Sequence, residues 1–417
     1  MSAPSPPRSA RWRFVFAGTA EGARWPLPSW VVAALLAVYV ALGIHSQVSH
    51  LADKPLPQFL MEDYSYYAAG YARWLAGQSP YADHVIGTAF LYPPQSLLLV
   101  GAFEALGTLP LKFAVYATLS LLALLGVVIL VLQSCRVPLS DPRSWIALVL
   151  AFSFGPVGWC LYLGQINLFV ALTVAAGFFL EEKRPYAAGA AIAVGAALKL
   201  TPILLIVLFL HRRYWRVHTS FVVTSIVLAL VTGALFGFHQ FVDYLKVGQA
   251  LKNSFPVGIN GSLSFINTLF LGAGVLDLPT QGWFGSLQLL YTGLLGLTLL
   301  LSAWLTRDGQ HRHLFYAIAA LALTVMPNVL WYHHLVFVLA GLLTLLISPE
   351  SSQLLRYGAA FALGLIQLDR LLSPALDKFT TTPVCLALLA LTFVVLARVS
   401  PGFLPSPHRA RLLALRE

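Results

Sequence analysis

Charge is what this sequence has least of. Only 10% of its 417 residues are charged and 58% are hydrophobic, whereas soluble domains carry about 25% charged residues. Apolar runs of spanning length recur along the chain, and in a bilayer core such runs must be helices packed together. A soluble globular protein is therefore excluded. Cysteine is scarce as well. Cys135, Cys160 and Cys385 lie far apart, which excludes a disulfide framework or a cysteine metal site and leaves them as small apolar side chains. There is no glycine-rich phosphate loop, no HExxH helix and no serine nucleophile elbow, so nothing points to a nucleotide site. No internal repeat suggests the inverted halves of a transporter. No small-residue cleavage site follows the first apolar run, Trp30 to Ile44, so an uncleaved first span is expected.

Basic residues are what remains of the charge. The formal net charge is +10, but the basic residues cluster at the ends of apolar runs. That pattern sets membrane orientation and meets anionic lipid, and it gives nucleic acid little support as a partner. The expected fold is an all-α polytopic membrane protein of about 12 transmembrane helices, with interfacial helices in the first and fourth outward loops. Arg8, Arg11, Arg13 and Arg24 place residues 1–27 in the cytoplasm as a basic N-terminus. Spans are expected near 27–46, 95–109, 112–132, 145–163, 166–180, 186–210 and 221–236, and then near 283–305, 314–329, 335–347, 357–368 and 383–397. Residues 28–282 are expected to form one membrane module, the candidate for chemistry through the residues weighed below, with outward loops at 47–94 and 238–282. Residues 283–398 are C-terminal membrane helices, and 399–417 a basic cytoplasmic tail. Within the second loop, 263–275 is too short to span and reads as a re-entrant or interfacial piece. Counting spans puts the Gly164-Gln165 hinge inside and Lys183/Arg184 outside, whereas charge bias prefers Lys183/Arg184 inside; the side of the hinge stays open.

The early stretch Phe59–Pro94 interrupts the apolar pattern. It opens with Glu62 and Asp63, and helical spacing then sets Tyr64, Tyr67, Ala68, Tyr71, Trp74 and Leu75 on one face. An aromatic face suits the lipid–water interface. Gly77 stops this helix, Pro80-Tyr81 turns, and Tyr92-Pro93-Pro94 opens the next span. Asp63 is the leading catalytic candidate, as a general base taking a proton from an acceptor hydroxyl. Its structural role would be the N-cap of a 64–76 helix, since Asp is a favoured cap. Glu62 is the understudy base.

Ionisable groups within membrane spans are costly and so invite a function. Lys199, in GAALKLTPILLI, lies deep in the sixth span, where Thr201-Pro202 would free a carbonyl and bend the helix. It holds an anion such as phosphate or else pairs with another helix. Gln165 and Asn167, in LYLGQINLF, bind substrate or hydrogen-bond helix to helix. Asn260, Ser262, Ser264 and Asn267 in the second outward loop suit sugar hydroxyls or turns. Met326 to His334 is an aromatic and imidazole belt, fit for a lipid phosphate, a sugar or interfacial anchoring. Adjacent His333 and His334 point to different sides of a helix, which disfavours a metal pair.

Four stretches together resemble type-C membrane glycosyltransferases, and most closely glycosyltransferase family 87. They are the first outward loop with Asp63, Tyr67, Leu75–Tyr81 and Tyr92-Pro93-Pro94; Gly164–Asn167; Ala188-Gly189 through Ala197–Pro202 to Arg212–Trp215; and the Asn260–Asn267 loop. The resemblance covers about the first two thirds of the chain; the last third is similar only in being helical. It implies a polyprenyl-phosphate-sugar donor, a glycolipid or glycan acceptor, reaction at the outer face of a bacterial plasma membrane, and cytoplasmic termini. Mannose is the implied sugar, which no residue here reads. Carried over by position, Asp63 is the general base and Lys199 helps hold the donor's phosphate; Tyr92, Gln165, Asn167, Asn260, His333 and His334 are the further candidates for binding donor phosphate or sugar. A single displacement would invert the anomeric centre, turning a β-linked donor into an α-linked product. No cofactor is expected, and need of a divalent metal stays open. A transporter or flippase of lipid-linked sugars, or a scaffold subunit, would share the helices but leave Asp63 dispensable or differently used.

Overall fold

The computed structural model describes residues 29–53, 61–83, 89–209, 214–254, 283–307, 311–325, 330–368 and 374–399. Among them every regular element is helical. In chain order they are α1 (Ser29–Asp53), α2 (Glu62–Leu75), α3 (Ser96–Glu104), α4 (Leu109–Ser134), α5 (Pro142–Phe152), α6 (Gly155–Leu163), α7 (Asn167–Phe179) and α8 (Pro185–Leu198). There follow α9 (Leu205–Leu208), α10 (Trp215–Phe236), α11 (His239–Ser254), α12 (Trp283–Leu305), α13 (Arg312–Val325), α14 (Val336–Ile347), α15 (Gln353–Gln367) and α16 (Pro374–Val399). Proline in the first turn starts α4, α5, α6 and α8, where its missing N–H forfeits nothing. Asp141 also caps α5 by accepting from the Arg143 amide at 2.8 Å.

Among the described residues four helices are long and apolar enough to cross a membrane: α4, α10, and residues 286–305 and 381–399 of α12 and α16. The α5–α6 pair passes the same test as one span bent by 44°. Shorter apolar helices surround them, including α7, α8 and α13. On α10, Val222, Ile226 and Leu230 stand exposed, as do Leu289, Leu294 and Leu297 on α12. In a polytopic membrane protein such faces meet lipid.

Several expected spans are corrected. The second, 95–109, contains only the nine-residue α3, about 14 Å long at 1.5 Å per residue and too short to cross. The fourth is broken between Phe152 and Gly155. The sixth ends at Leu198: the Pro202 ring would clash with that residue's carbonyl, four positions back, so helix cannot continue through it. Lys199 is extended, and a 3-10 turn (Thr201–Leu204) and α9 lead to Phe209. The Phe209 ring lies 6.1 Å from Phe178 near the C-terminal end of α7 and 5.1 Å from Tyr214. The segment after Lys199 thus returns toward the end from which α8 started. Residues 239–254, expected as loop, form α11, and Pro383 lies inside α16 instead of opening it. The 263–275 piece falls outside the described residues.

Two ends result. At one, α2, α3, the start of α4, the end of α6 and the start of α7 meet, and Gly164 packs on Tyr64. At the other lie the ends of α4, α7 and α14 and the starts of α5, α13 and α15. Here Arg312 pairs with Glu181 at 2.7 Å and Glu182 at 2.9 Å, and Arg143 pairs with Asp141 and donates to the Ile347 carbonyl. The hinge at Gly164-Gln165 therefore sits at the Asp63 end, and Lys183/Arg184 at the opposite one. A large apolar core joins the two ends, and a smaller, aromatic one lies under α2.

The α5–α6 break would leave backbone groups unpaired inside the bundle. Gln367 satisfies them: its side-chain oxygen accepts from Gly155 N–H at 2.6 Å, and its amide donates to the carbonyls of Ser153 at 2.6 Å and Tyr39 at 3.1 Å. Replacing it by an apolar isostere strands the Gly155 N–H and the Ser153 carbonyl at the break, while the Tyr39 carbonyl keeps its place in the α1 ladder. Gln367→Leu should lower stability by roughly 1–3 kcal/mol, read as a lower thermal midpoint in detergent; an unchanged midpoint would show that the bend holds without it.

Candidate active site

The site is built where regular helix fails. Gly164 ends α6 in the left-handed region, φ 70° and ψ 31°, and the Gln165 amide closes the turn on the Cys160 carbonyl at 2.9 Å. A Cβ at Gly164 would stand 2.7 Å from Tyr64 Cβ, so glycine is required both for its φ and for this approach. The turn presents Gln165 to α2 and starts α7 at Asn167; both side chains are buried.

Met61, itself left-handed with φ 61°, precedes α2, and its amide donates to the Tyr162 carbonyl at 2.8 Å. Asp63 is consequently within the first turn and not the cap, which corrects the N-cap reading. Its carboxylate accepts from the Gln165 amide instead. The Gln165 oxygen accepts from the Tyr92 hydroxyl at 3.0 Å, and Tyr92 accepts from Tyr67 at 2.7 Å. Tyr116 reaches the carbonyls of Cys160, at 3.1 Å, and of Gln165. Burial raises the Asp63 pKa, the Gln165 hydrogen bond lowers it, and the charges of Glu62 and Lys199 raise and lower it in turn. The net direction is upward.

The aromatic face of α2 packs against protein. Tyr64 and Tyr67 are buried, Tyr71 and Trp74 meet Phe236 of α10, and only Leu75 turns away at 65% exposure. From α11, Asp243 accepts from Ser79 at 2.8 Å and the Tyr244 ring approaches Tyr81.

On the other side of the Gln165–Asn167 turn stands Lys199. Its ammonium donates to Asn167 Oδ1 at 2.9 Å and contacts His334 Nε2 at 2.8 Å. His334 sits in a 3-10 turn, Tyr332–Leu335, and its Nδ1 lies 3.3 Å from the Trp331 amide. A neutral imidazole has one ring nitrogen able to accept, so these two contacts compete for it, and the shorter one favours the lysine. The His333 ring stands edge-on to that of His334, with centroids 4.6 Å apart, and its backbone carbonyl accepts from Asn167 Nδ2 and Cys160 Sγ, both at 3.3 Å. Among the described residues no three His, Cys, Asp or Glu side chains gather as metal ligands.

Asp63, Gln165 and Tyr92 thus form one hydrogen-bonded group and Asn167, Lys199 and His334 another, and the backbone of the Gly164–Asn167 turn sets the two side by side, a carboxylate in one and an ammonium in the other. His333 adds its backbone carbonyl and a ring packed edge-on against His334. Glu62 is the neighbour of Asp63, outside the chain of bonds leading to Gln165. Asn260, Ser262, Ser264 and Asn267 lie outside the described residues, as do 326–329 of the aromatic belt. Sequence reasoning missed Tyr116; a phenol inside the apolar run 109–134 was its only signal.

An all-helical membrane protein with a carboxylate and a lysine facing each other across a polar seam has the parts of a group-transfer enzyme acting on lipid-linked substrates. The family model of glycosyltransferase family 87 matches residues 90–349, and the chain belongs to that family. The polyprenol-phosphate-mannose-dependent alpha-(1-2)-phosphatidylinositol mannoside mannosyltransferase of Mycobacterium tuberculosis (strain ATCC 25618 / H37Rv) is 25% identical over 360 residues, 80% of this chain and 79% of that protein. The identically named protein of Mycolicibacterium smegmatis (strain ATCC 700084 / mc(2)155) is 26% identical over 217 residues, 47% of this chain and 48% of that one. No solved structure matches. Asp63 precedes the matched span, whereas Tyr92, Gln165, Asn167, Lys199, His333 and His334 lie inside it.

Gly164→Ala tests the turn. With φ at 70° and Tyr64 in the way, it should destabilise the protein by about 1–3 kcal/mol and lower transferase turnover by moving Gln165 from Asp63. Wild-type turnover in the alanine variant would mean that the turn does not set the site.

Proposed function

We propose that this protein transfers mannose from a polyprenyl-phosphate-mannose donor to a hydroxyl of a glycolipid or glycan, with Asp63 as general base and inversion at the sugar. The observation that carries the reading is the seam from Asp63 through Gln165 and Asn167 to Lys199 and His334. The acceptor oxygen attacks the anomeric carbon as the bond to phosphate breaks. The acceptor's proton passes to Asp63, and the bonding pair leaves with polyprenyl phosphate, whose charge Lys199 balances. Asn167 and His334 hold the ammonium, Gln165 orients the carboxylate, and Tyr92 with Tyr67 fixes Gln165. Positioning and charge account for the catalysis, and no nucleotide fold is required. The mycobacterial relatives make phosphatidylinositol mannoside the first acceptor to try.

Membrane placement follows from charge. Among the described residues Arg136, Arg143, Lys183, Arg184, Arg216, Arg307, Arg312, Arg356 and Arg398 lie at the end away from Asp63, whereas the site end holds Arg73, Lys112 and Lys246, each paired with a carboxylate there. The positive-inside bias supports a cytoplasmic far end and an outward site in the plasma membrane. On this reading α1, α4, the α5–α6 pair, α7, α10, α12, α13, α14, α15 and α16 cross, α8 with α9 is re-entrant from the cytoplasm, and both termini are cytoplasmic. Losing the second span and making the sixth re-entrant accounts for the difference from about twelve crossings.

The test is transfer by purified protein in liposomes from radiolabelled polyprenyl-phosphate-mannose to phosphatidylinositol mannosides. Wild type should label the acceptor and Asp63→Asn should not, while still binding donor; equal transfer by both would remove Asp63 as the base. The pH profile gives a second check. A base with a raised pKa must be deprotonated, so kcat/KM should fall with acidification at a pH above the usual carboxylate range. Glu62→Gln removes a charge that raises the pKa of Asp63 and should move that limb to lower pH; Gln165→Leu removes a bond that lowers it and should move the limb up. Limbs that stay in place would detach Asp63 from the titration.

A further inference from the structure

Outside the seam, one partly buried ionic contact bears on Asp63 without touching substrate. Glu104, at the end of α3, receives two donors: the Tyr64 hydroxyl at 2.8 Å on Oε1, and Lys112 Nζ of α4 at 2.6 Å on Oε2. The glutamate side chain is 24% exposed and the lysine 13%, while Tyr64 is 4% exposed. Tyr64 follows Asp63 in sequence and is gripped from every side. Its ring stands edge-on to Phe103 and Tyr67, both at 6.1 Å, and its Cβ rests on Gly164. Met61, two residues before Asp63, is tied to the Tyr162 carbonyl. The first turn of α2 is therefore held at two points, one on each side of Asp63. One of them is a hydroxyl held by a charged acceptor that a membrane-length helix anchors in turn.

We infer that Glu104 is a positioning residue for the base: held by Lys112, it fixes Tyr64 and so the rotation of the first turn of α2 that aims Asp63 at Gln165 and at the acceptor hydroxyl. The inference rests on the reading of Asp63 as base. A hydrogen bond to a charged acceptor is stronger than one between neutral groups, and small displacements of a catalytic group reduce turnover steeply. The contact is suited to setting an angle, since Tyr64 is already buried by its ring and does not need its hydroxyl in order to stay inside.

The test uses the full chain in liposomes, with polyprenyl-phosphate-mannose as donor and kcat, donor KM and folded fraction measured together. Tyr64→Phe deletes one oxygen atom and keeps the packing. It should lower kcat about tenfold, with donor KM within about twofold of wild type. Glu104→Ala should lose as much, and the double variant no more than either single one, because both remove the same contact. Glu104→Gln retains an acceptor oxygen for Tyr64 and should recover most of the turnover. Wild-type kcat per folded molecule in Tyr64→Phe, or losses that multiply in the double variant, would overturn the inference even if Asp63→Asn is inert. If Asp63→Asn transfers mannose normally, the base reading falls and this inference with it, so the two failures are told apart by that one variant.

Discussion

A lysine ammonium placed among apolar helices must find oxygen or nitrogen partners, because neither lipid nor regular helical backbone supplies them. Lys199 finds its partners through three interruptions of helix. Pro202 ends α8 at Leu198 and leaves Lys199 extended. The Gly164 turn begins α7 at Asn167 and so brings an amide oxygen to the ammonium. The 3-10 turn before α14 brings His334. Each interruption has its own local cause in proline, glycine or tight-turn geometry, yet all three converge on one nitrogen atom. The remaining polar residues of the seam extend outward from there.

The same constraint explains why charge is divided between two ends. Carboxylates and cations that pair at the far end, such as Glu181 with Arg312, close the bundle around helix termini; burial still pushes the Glu181 pKa up to about 7. At the site end the pairing is incomplete by design of the seam: Asp63 is held by an amide, and its charge stands across two residues from that of Lys199. The amide bond lowers the carboxylate's pKa, but burial outweighs it and leaves the net direction upward, whereas a direct lysine contact would depress it further. The aromatic packing of α2 on α3, α4 and α10 then serves to fix where that carboxylate lies.

The sequence made the membrane class, the long α4, and the ions worth weighing legible, because apolar runs and isolated charges are local signals. Asp63, Gln165, Asn167, Lys199 and His334 could each be singled out for this reason, and the Pro202 break was partly visible. Their assembly was not legible. Nothing in the spacing says that residues 63, 165, 199 and 334 meet, since those contacts depend on how helices pack. Gln367 shows the same limit from the other direction: a glutamine at a helix end reads as ordinary, and its value comes from a break two hundred residues earlier. The nine-residue α3 was read as a span because its flanks are apolar; its burial against α2 and α4 comes from tertiary packing.

The ring of His334 connects this architecture to the proposed chemistry. Lys199 and the Trp331 amide both approach a nitrogen of one imidazole, which has a single free lone pair when neutral. The arrangement is thus complete only for one of them at a time. On the proposed reading an arriving phosphate offers Lys199 stronger, charged acceptors than an imidazole. The ammonium can turn to the phosphate while the neutral His334 carries its proton on Nε2, so that Nδ1 accepts from Trp331. The partner that Lys199 releases is then not left unsatisfied. On that reading the empty site holds its cation on neutral acceptors, Asn167 and His334, and can release it to a charged one, which suits a lipid-phosphate donor that must later depart.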